Sequence, residues 1–253
     1  MMSRFPLIFR HFLFRSFRDP MGIVFFILLP LGLIVLNLSI NFAQMAEVGN
    51  TTTAVEATAM ATLFMLAFQF FSSDILVYNV YDDIRGNVRW RLLAAPVPQH
   101  TFFVAAMASS WVFNLLQAGI IMGISSILFE MEWGYLWVMF AVVLLVSLIA
   151  QLIALLMTQL FKTRKVASGV LQGLCFLFML LSGVLFVPLG DSAIATFVQQ
   201  YGTPLGVAWH AIWNSGLVEY DMSQVVRNLI ILGGMATVLA IGCIAVSGKG
   251  RKA

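Results

Sequence analysis

The sequence predicts an all-α integral membrane protein with six transmembrane helices, and three observations carry that prediction. Of the 253 residues, 61% are hydrophobic and only 10% are charged, against about 25% charged in an average soluble domain. The apolar residues gather into six runs, each of the length, about 20 residues, that a helix needs to cross a bilayer. The basic residues fall in alternate connecting segments. Such a chain cannot cover a water-facing surface, which excludes a soluble enzyme, a disordered protein and a nucleic-acid binder. The net charge is only +3, so the placement of the charges says more than their sum.

The first element is an amphipathic helix over residues 4–18, within an interfacial lead of residues 1–20. At about 100° per residue, Arg4, His11, Arg15 and Arg18 share one face, and Phe5, Phe9, Phe12, Leu13 and Phe17 share the other. A helix of this kind lies in the headgroup plane. It serves either as an anchor or as a lever between a cytoplasmic partner and the first span. Asp19 and Pro20 end it. The expected spans cover residues 21–40, 57–81, 101–129, 135–160, 166–186 and 228–247 of one membrane domain, 1–253. Pro30 is expected to kink the first of them. The charged lead is long and no small-residue cleavage site follows the first run, so that run is not read as a signal peptide.

Arginine and lysine orient the spans. Of the 14 basic residues, all but Arg227 lie in the lead, in the segments after spans 2 and 4, or in the tail. The acids Glu47, Glu56, Glu130, Glu132, Asp191, Glu219 and Asp221 lie in the opposite segments. Both termini are therefore expected in the cytoplasm. The aromatics Trp133, Tyr135, Trp137, Trp209, Trp213 and Tyr220 cluster on the outer side, and Tyr78, Tyr81 and Trp90 on the inner, as headgroup-level rings do.

Between the spans, two segments stand out. Residues 82–100 mix charged side chains with Trp90, Leu92, Leu93 and Val97 before closing on Pro96 and Pro98. A solvated linker would not carry that pattern; a short membrane-surface helix offering one face to a partner would. The adjacent Asp82 and Asp83 have no second acidic motif to make a magnesium site, so no metal is expected. Residues 187–227 contain two apolar stretches, 193–198 and 205–213, each too short to span. They read as short extracytoplasmic helices, interfacial or re-entrant. His210, between two tryptophans, is either an interfacial residue or a pH switch.

Inside the spans, polar side chains require a reason. Thr62, Gln69 and Ser73 share one face of span 2, and Ser110, Asn114 and Gln117 share one face of span 3. These faces line either a translocation pathway or a polar contact between helices of one subunit. Gly119 and Gly123, on the opposite side of span 3, form a small-residue pair that allows close helix approach. Asp74 is the acid set deep in a span; it either attracts a cationic substrate or is held neutral by hydroxyl and amide neighbours. Gln151, Gln159 and Gln172 are weaker signals of the same kind. Cys175 and Cys243 lie in apolar runs and read as buried thiols.

These features together resemble the ABC-2 type permeases, the transmembrane subunits of one class of ATP-binding-cassette exporters. The resemblance covers essentially the whole chain. Its most specific part is Tyr81-Asp-Asp-Ile-Arg-Gly-Asn-Val-Arg-Trp-Arg-Leu-Leu-Ala-Ala-Pro-Val-Pro98, similar to the family's charged loop that runs into Leu-Leu and a Pro-Val pair. Asn87 stands where the family commonly has Thr, and Pro98 where it has Ser. Leu181-Ser-Gly-Val-Leu-Phe-Val-Pro188 resembles the family's close of span 5. The resemblance implies two permease subunits, identical or paralogous, above two soluble ABC ATPase subunits. It implies an ATPase-coupling loop at Asp83, Arg85, Gly86, Arg89, Trp90, Arg91, Leu92 and Leu93. The chain has no Gly-x₄-Gly-Lys-Ser/Thr phosphate loop, so ATP and its magnesium are expected in the partner and no catalytic residue in this chain. A drug, antimicrobial peptide or lipid suits the apolar spans as cargo across the cytoplasmic membrane. The rival is an ATP-independent secondary transporter or channel. Such folds often carry inverted repeats, and none is found between the two halves.

Overall fold

The computed structural model describes residues 5–36, 39, 52–85, 99–129, 131, 133–183, 192–216 and 220–249. Among them the regular structure is helical, with one isolated bridge between Ser215 and Tyr220. Five helices are long and apolar enough to cross a membrane: Ala61–Asp83, Thr101–Leu128, Leu136–Leu160, Arg164–Leu181 and Met222–Ser247.

Helix α1 (Phe5–Arg18) ends at Asp19, and Pro20 begins α2 (Pro20–Ile23), a position where proline's missing N–H costs nothing. A π-helical turn, Val24–Leu28, follows and the helix continues to Leu36. The Leu29 N–H reaches back to the Val24 carbonyl. Pro30 cannot donate to the preceding turn and its ring crowds the carbonyl four residues earlier. The widened turn just before Pro30 accommodates that conflict, so the distortion expected at Pro30 takes the form of a π turn. The apolar helix Val24–Leu36 is shorter than a span needs; most of residues 37–51 lie outside the described residues.

Span 2 is interrupted. Helix α3 (Thr52–Ser72) gives way at Ser73 to α4 (Asp74–Arg85). At the junction the Ser73 N–H bonds the Phe70 carbonyl at 3.2 Å and the Leu76 N–H bonds the Ser73 carbonyl at 3.0 Å. The two hydroxyls bond back as well, Ser72 to Gln69 O at 3.1 Å and Ser73 to Phe70 O at 2.6 Å. Serine side chains that compete in this way for backbone carbonyls weaken the regular helical ladder.

Helices α5 (Gln99–Phe129), α6 (Leu136–Leu160) and α7 (Arg164–Leu181) follow. Helix α6 is apolar on all sides, and 72% of its spanning window is buried within the chain. It forms the centre and packs against α3, α4, α5 and α7. The last long helix, α10 (Met222–Lys249), lies along α6, with only 17% of its window buried. Its free apolar face is suited to lipid.

Before α10 come α8 (Ala193–Tyr201) and α9 (Pro204–Trp213), at the two short apolar stretches seen in the sequence. Thr203 caps α9, its hydroxyl accepting the Gly206 N–H at 3.0 Å, and Pro204 takes the first helical position. Leu205, Val207, Ala208, Ala211 and Ile212 are all fully buried, whereas α8 buries none of its side chains. Helix α9 packs into the bundle against α3, α6, α7 and α10. A Cβ at Gly206 would stand 2.0 Å from the Gln199 carbonyl oxygen, so α8 and α9 meet at a distance only glycine permits.

Candidate functional site

The charged residues nearest the expected coupling loop do not point away as a solvated face. Arg15 of α1 bridges both adjacent carboxylates at the end of α4, with Nη2 to Asp82 Oδ2 and Nη1 to Asp83 Oδ1, each at 2.9 Å. Arg164, at the start of α7, lies 3.7 Å from Asp82 Oδ1. The Tyr78 ring lies beside both guanidinium groups, its centroid 4.1 Å from Arg164 and 5.5 Å from Arg15, within cation–π range. Tyr81 donates to the Phe161 carbonyl at 2.5 Å, attaching the same end of α4 to the residue that follows α6. Nearby, Asn79 donates to the Ser16 hydroxyl at 3.4 Å. The termini of four elements meet in this clasp. Its chain separations, 67 and 68 residues for the Arg15 contacts, kept it out of a local reading of the sequence.

From the clasp a polar seam runs up between α4 and α7. Asp74, Tyr78 and Asp82 recur every four residues on one helix, and Arg164, Ser168 and Gln172 do so on the other, so each triplet keeps one face. Their rungs pair Arg164 with Tyr78 and Asp82, Ser168 with the Asp74 carboxyl, and Gln172 Nε2 with the Phe71 carbonyl at 3.5 Å. Asp74 Oδ1 is buried and has no hydrogen-bond partner among the described residues. The seam borders a cavity of about 860 Å³ that Arg15, Arg18 and Asp19 also line, together with the apolar side chains Phe25, Phe26, Leu29 and Phe68. Ser168 belongs to this site without standing out by type or motif, and Arg15, Tyr78 and Arg164 stand out in the sequence only as part of an amphipathic face, a headgroup-level ring and a basic segment. The matched four-residue spacing on the two helices is the signal that finds them.

The other polar residues expected along a pathway sit elsewhere. Thr62, Gln69, Ser73, Ser110, Asn114 and Gln117 are all fully buried inside the chain. Asn114 joins α5 to α3, donating to the Gln69 carbonyl at 3.0 Å and accepting from the Ser72 hydroxyl at 2.9 Å. Thr62 bonds the Thr58 carbonyl at 2.9 Å. The side-chain amides of Gln69, Gln117 and Gln151 are buried without a hydrogen-bond partner among the described residues. The polar face of α5 is thus the packed one. The small-residue face behaves the other way: a Cβ at Gly119 or Gly123 would meet nothing within 4 Å, and neighbouring Leu116, Ile120 and Ile127 are exposed. Among the described residues the close approach expected at those glycines is not made.

At the opposite end a second polar cluster surrounds a cavity of about 350 Å³ lined by Gln200, Tyr201, His210, Asp221, Arg227 and Asn228 among others. Arg227, the exception in the charge pattern, donates to the Tyr201 hydroxyl at 2.5 Å and to Gln224. Asp221 caps α10, accepting from the Ser223 hydroxyl at 2.6 Å and from the Ser223 and Gln224 N–H groups. The Ser223 hydroxyl foremost, with those amides, holds its carboxyl below the usual range. Burial pushes the His210 imidazole below its ordinary value. Of the expected coupling residues, Asp83 lies in the clasp and Arg85 ends α4; the Arg85 side chain and Gly86, Arg89, Trp90, Arg91, Leu92 and Leu93 lie outside the described residues.

A family model described as ABC-2 family transporter protein matches residues 30–245. No curated protein matches the chain. With five apolar helices of spanning length, the match makes this a multi-pass membrane protein and a transport component rather than a catalytic enzyme. From the apolar bundle, the polar seam inside it and a match over most of its length, the chain belongs to the ABC-2 family of transporter proteins.

Proposed function

We propose that this chain is the membrane-spanning subunit of an ABC exporter, moving a hydrophobic or amphipathic cargo across the cytoplasmic membrane with ATP hydrolysed elsewhere. Its family implies work alongside an ABC ATPase subunit; that subunit would bind the ATP and magnesium. The proposal places six spans in the membrane, both termini in the cytoplasm, α1 at the inner headgroup level, and α8 and α9 on the outer side. A second copy or a paralogue completes the transporter.

The observation that carries the reading is the clasp. Helix α4 leads directly into residues 86–98, the segment that resembles a coupling loop. Arg15 and Arg164 tie its end to α1 and α7. A push from a docked ATPase on that segment therefore reaches three membrane elements at once. Asp74 lines the cavity above the clasp, and we assign it to the cargo route. Asn114, with Thr62, Gln69, Ser73, Ser110 and Gln117 around it, holds α3 to α5 beside that route.

The test is docking. Interface anchors are typically aromatic or arginine side chains whose truncation costs about 2 kcal/mol or more. Trp90→Ala and Leu92→Asp should abolish pull-down of the ATPase and export while membrane expression stays normal. Arg89→Glu should do so in part, through charge mismatch with the partner. Retained ATPase binding and export in Leu92→Asp would remove this loop from the mechanism.

A further inference from the structure

The cavity beside α4 and α7 combines features that select a ligand by charge. Charged and aromatic side chains line it together, with the Asp74 carboxyl among them. Its volume of about 860 Å³ falls within the range of small-molecule pockets, about 300–1,000 Å³. Phe25, Phe26, Phe68 and Phe71 supply the apolar lining, and Asp74 stands among them with Oδ1 buried and unpartnered.

Arg15, Arg18 and Arg164 line the cavity with Asp19 and Asp74, and carboxylates outside the lining, Asp82 and Asp83, draw on the arginines. Two of the arginines are already engaged. Arg15 is shared between Asp82 and Asp83 at 2.9 Å each. Arg164, the cation acting on Asp74, is drawn to the Tyr78 ring and to Asp82. Asp74 Oδ1 is left without a hydrogen-bond partner among the described residues, in an apolar surround where the attraction between opposite charges is many times its value in water. The phenylalanine faces add a cation–π contribution.

We infer that this cavity is a binding site for a monocationic amphipath. Its ammonium, phosphonium or guanidinium centre pairs with Asp74, and its apolar body lies among Phe25, Phe26, Phe68 and Phe71. The inference rests on the export reading above and narrows its cargo to lipophilic cations. An anionic amphipath would set its charge against Asp74 and find Arg15 and Arg164 already engaged.

The probes are tetraphenylphosphonium and its isosteric anion tetraphenylborate, which differ in the sign of their charge and not in shape. Binding is measured by equilibrium dialysis against the full chain in phosphatidylcholine nanodiscs, with empty nanodiscs subtracted. The wild type should bind the cation saturably and the anion not at all. Asp74→Asn should weaken cation binding at least tenfold, and Asp74→Glu should hold it within about threefold. Gln172→Glu, which adds a second carboxylate to the same cavity wall, should strengthen it severalfold; this variant decides the matter should Asp74→Asn not insert. Equal cation binding by wild type and Asp74→Asn, no response to Gln172→Glu, or saturable anion binding by the wild type would overturn the assignment. No ATPase takes part, so a failure here leaves the export reading standing, and a failed ATPase pull-down leaves this one.

Discussion

The two polar ends of the bundle are built on opposite plans. At the Arg15 end, elements far apart in the chain are joined by ions: Asp82 and Asp83 of α4 hold Arg15 of α1, and Asp82 also faces Arg164 of α7. At the Tyr220 end no ion pair joins distant elements among the described residues; Arg227 reaches the uncharged Tyr201 hydroxyl. Asp221 caps its own helix, Thr203 caps α9, and the segment is secured by the buried apolar side of α9 and the close approach at Gly206. An end joined by ions responds to salt and to any charge a partner brings. An end joined by packing responds to volume. The difference teaches where a signal can enter this molecule: the exchangeable contacts are on the side of the proposed coupling segment.

The largest expected effect comes from volume at the packed end. Gly206→Ala forces a methyl group against the Gln199 carbonyl, and overpacking of this kind costs about 1–3 kcal/mol. Thermal unfolding in detergent should drop by several degrees, by the same amount at low and high salt. Next comes charge at the ionic end. Arg15→Ala removes two charge-assisted hydrogen bonds from a half-buried site and leaves Asp82 beside Asp83, a loss of about 2 kcal/mol. Because salt screens such contacts, the difference from wild type should shrink as ionic strength rises. Export should fall even where the protein remains folded. If both variants showed the same salt response, the contrast between the ends would be broken.

The smallest effect is in pH, and it sharpens the contrast within the packed end. Burial lowers the His210 pKa in the fold, so folding favours the neutral ring while the unfolded chain takes up a proton near pH 6.5. The stability this group contributes is full above that value and is lost as pH falls below it. Asp221, held low by Ser223 and the Gln224 amide, stays ionised throughout that interval and adds nothing to the slope. The wild type should therefore lose stability as pH falls from 7.5 to 5.5, and His210→Gln should flatten the profile. An unchanged slope in that variant would take His210 out of the packed end's stability.

Much of the architecture was legible because long apolar runs carry few alternatives. The runs at 101–129, 135–160, 166–186 and 228–247 correspond to α5, α6, α7 and α10, with ends a few residues away. The short stretches at 193–198 and 205–213 became α8 and α9. What escaped reading has a common cause. The interruption at Ser73 depends on two hydroxyls turning back to carbonyls three residues earlier, an event that needs neither proline nor glycine. The clasp depends on partners that meet only after the bundle has formed. The polar face of α5 was visible in Ser110, Asn114 and Gln117, but its destination was not. Only the bond from Asn114 to α3 reveals that this face is packed and that Gly119 and Gly123 face outward.

The interruption at Ser73 also has a mechanical side. In an unbroken helix a twist applied at one end is carried to the other through successive hydrogen bonds. Here two rigid rods meet at a joint, with tighter three-residue bonds at the junction. The lower rod, Asp74–Arg85, bears the clasp and leads into the coupling segment; the upper rod, Thr52–Ser72, is fastened to α5 through Asn114. Under the proposed mechanism, torque delivered at Asp82 would reach Asp74, the first residue below the joint, while Asn114 holds the upper rod to α5.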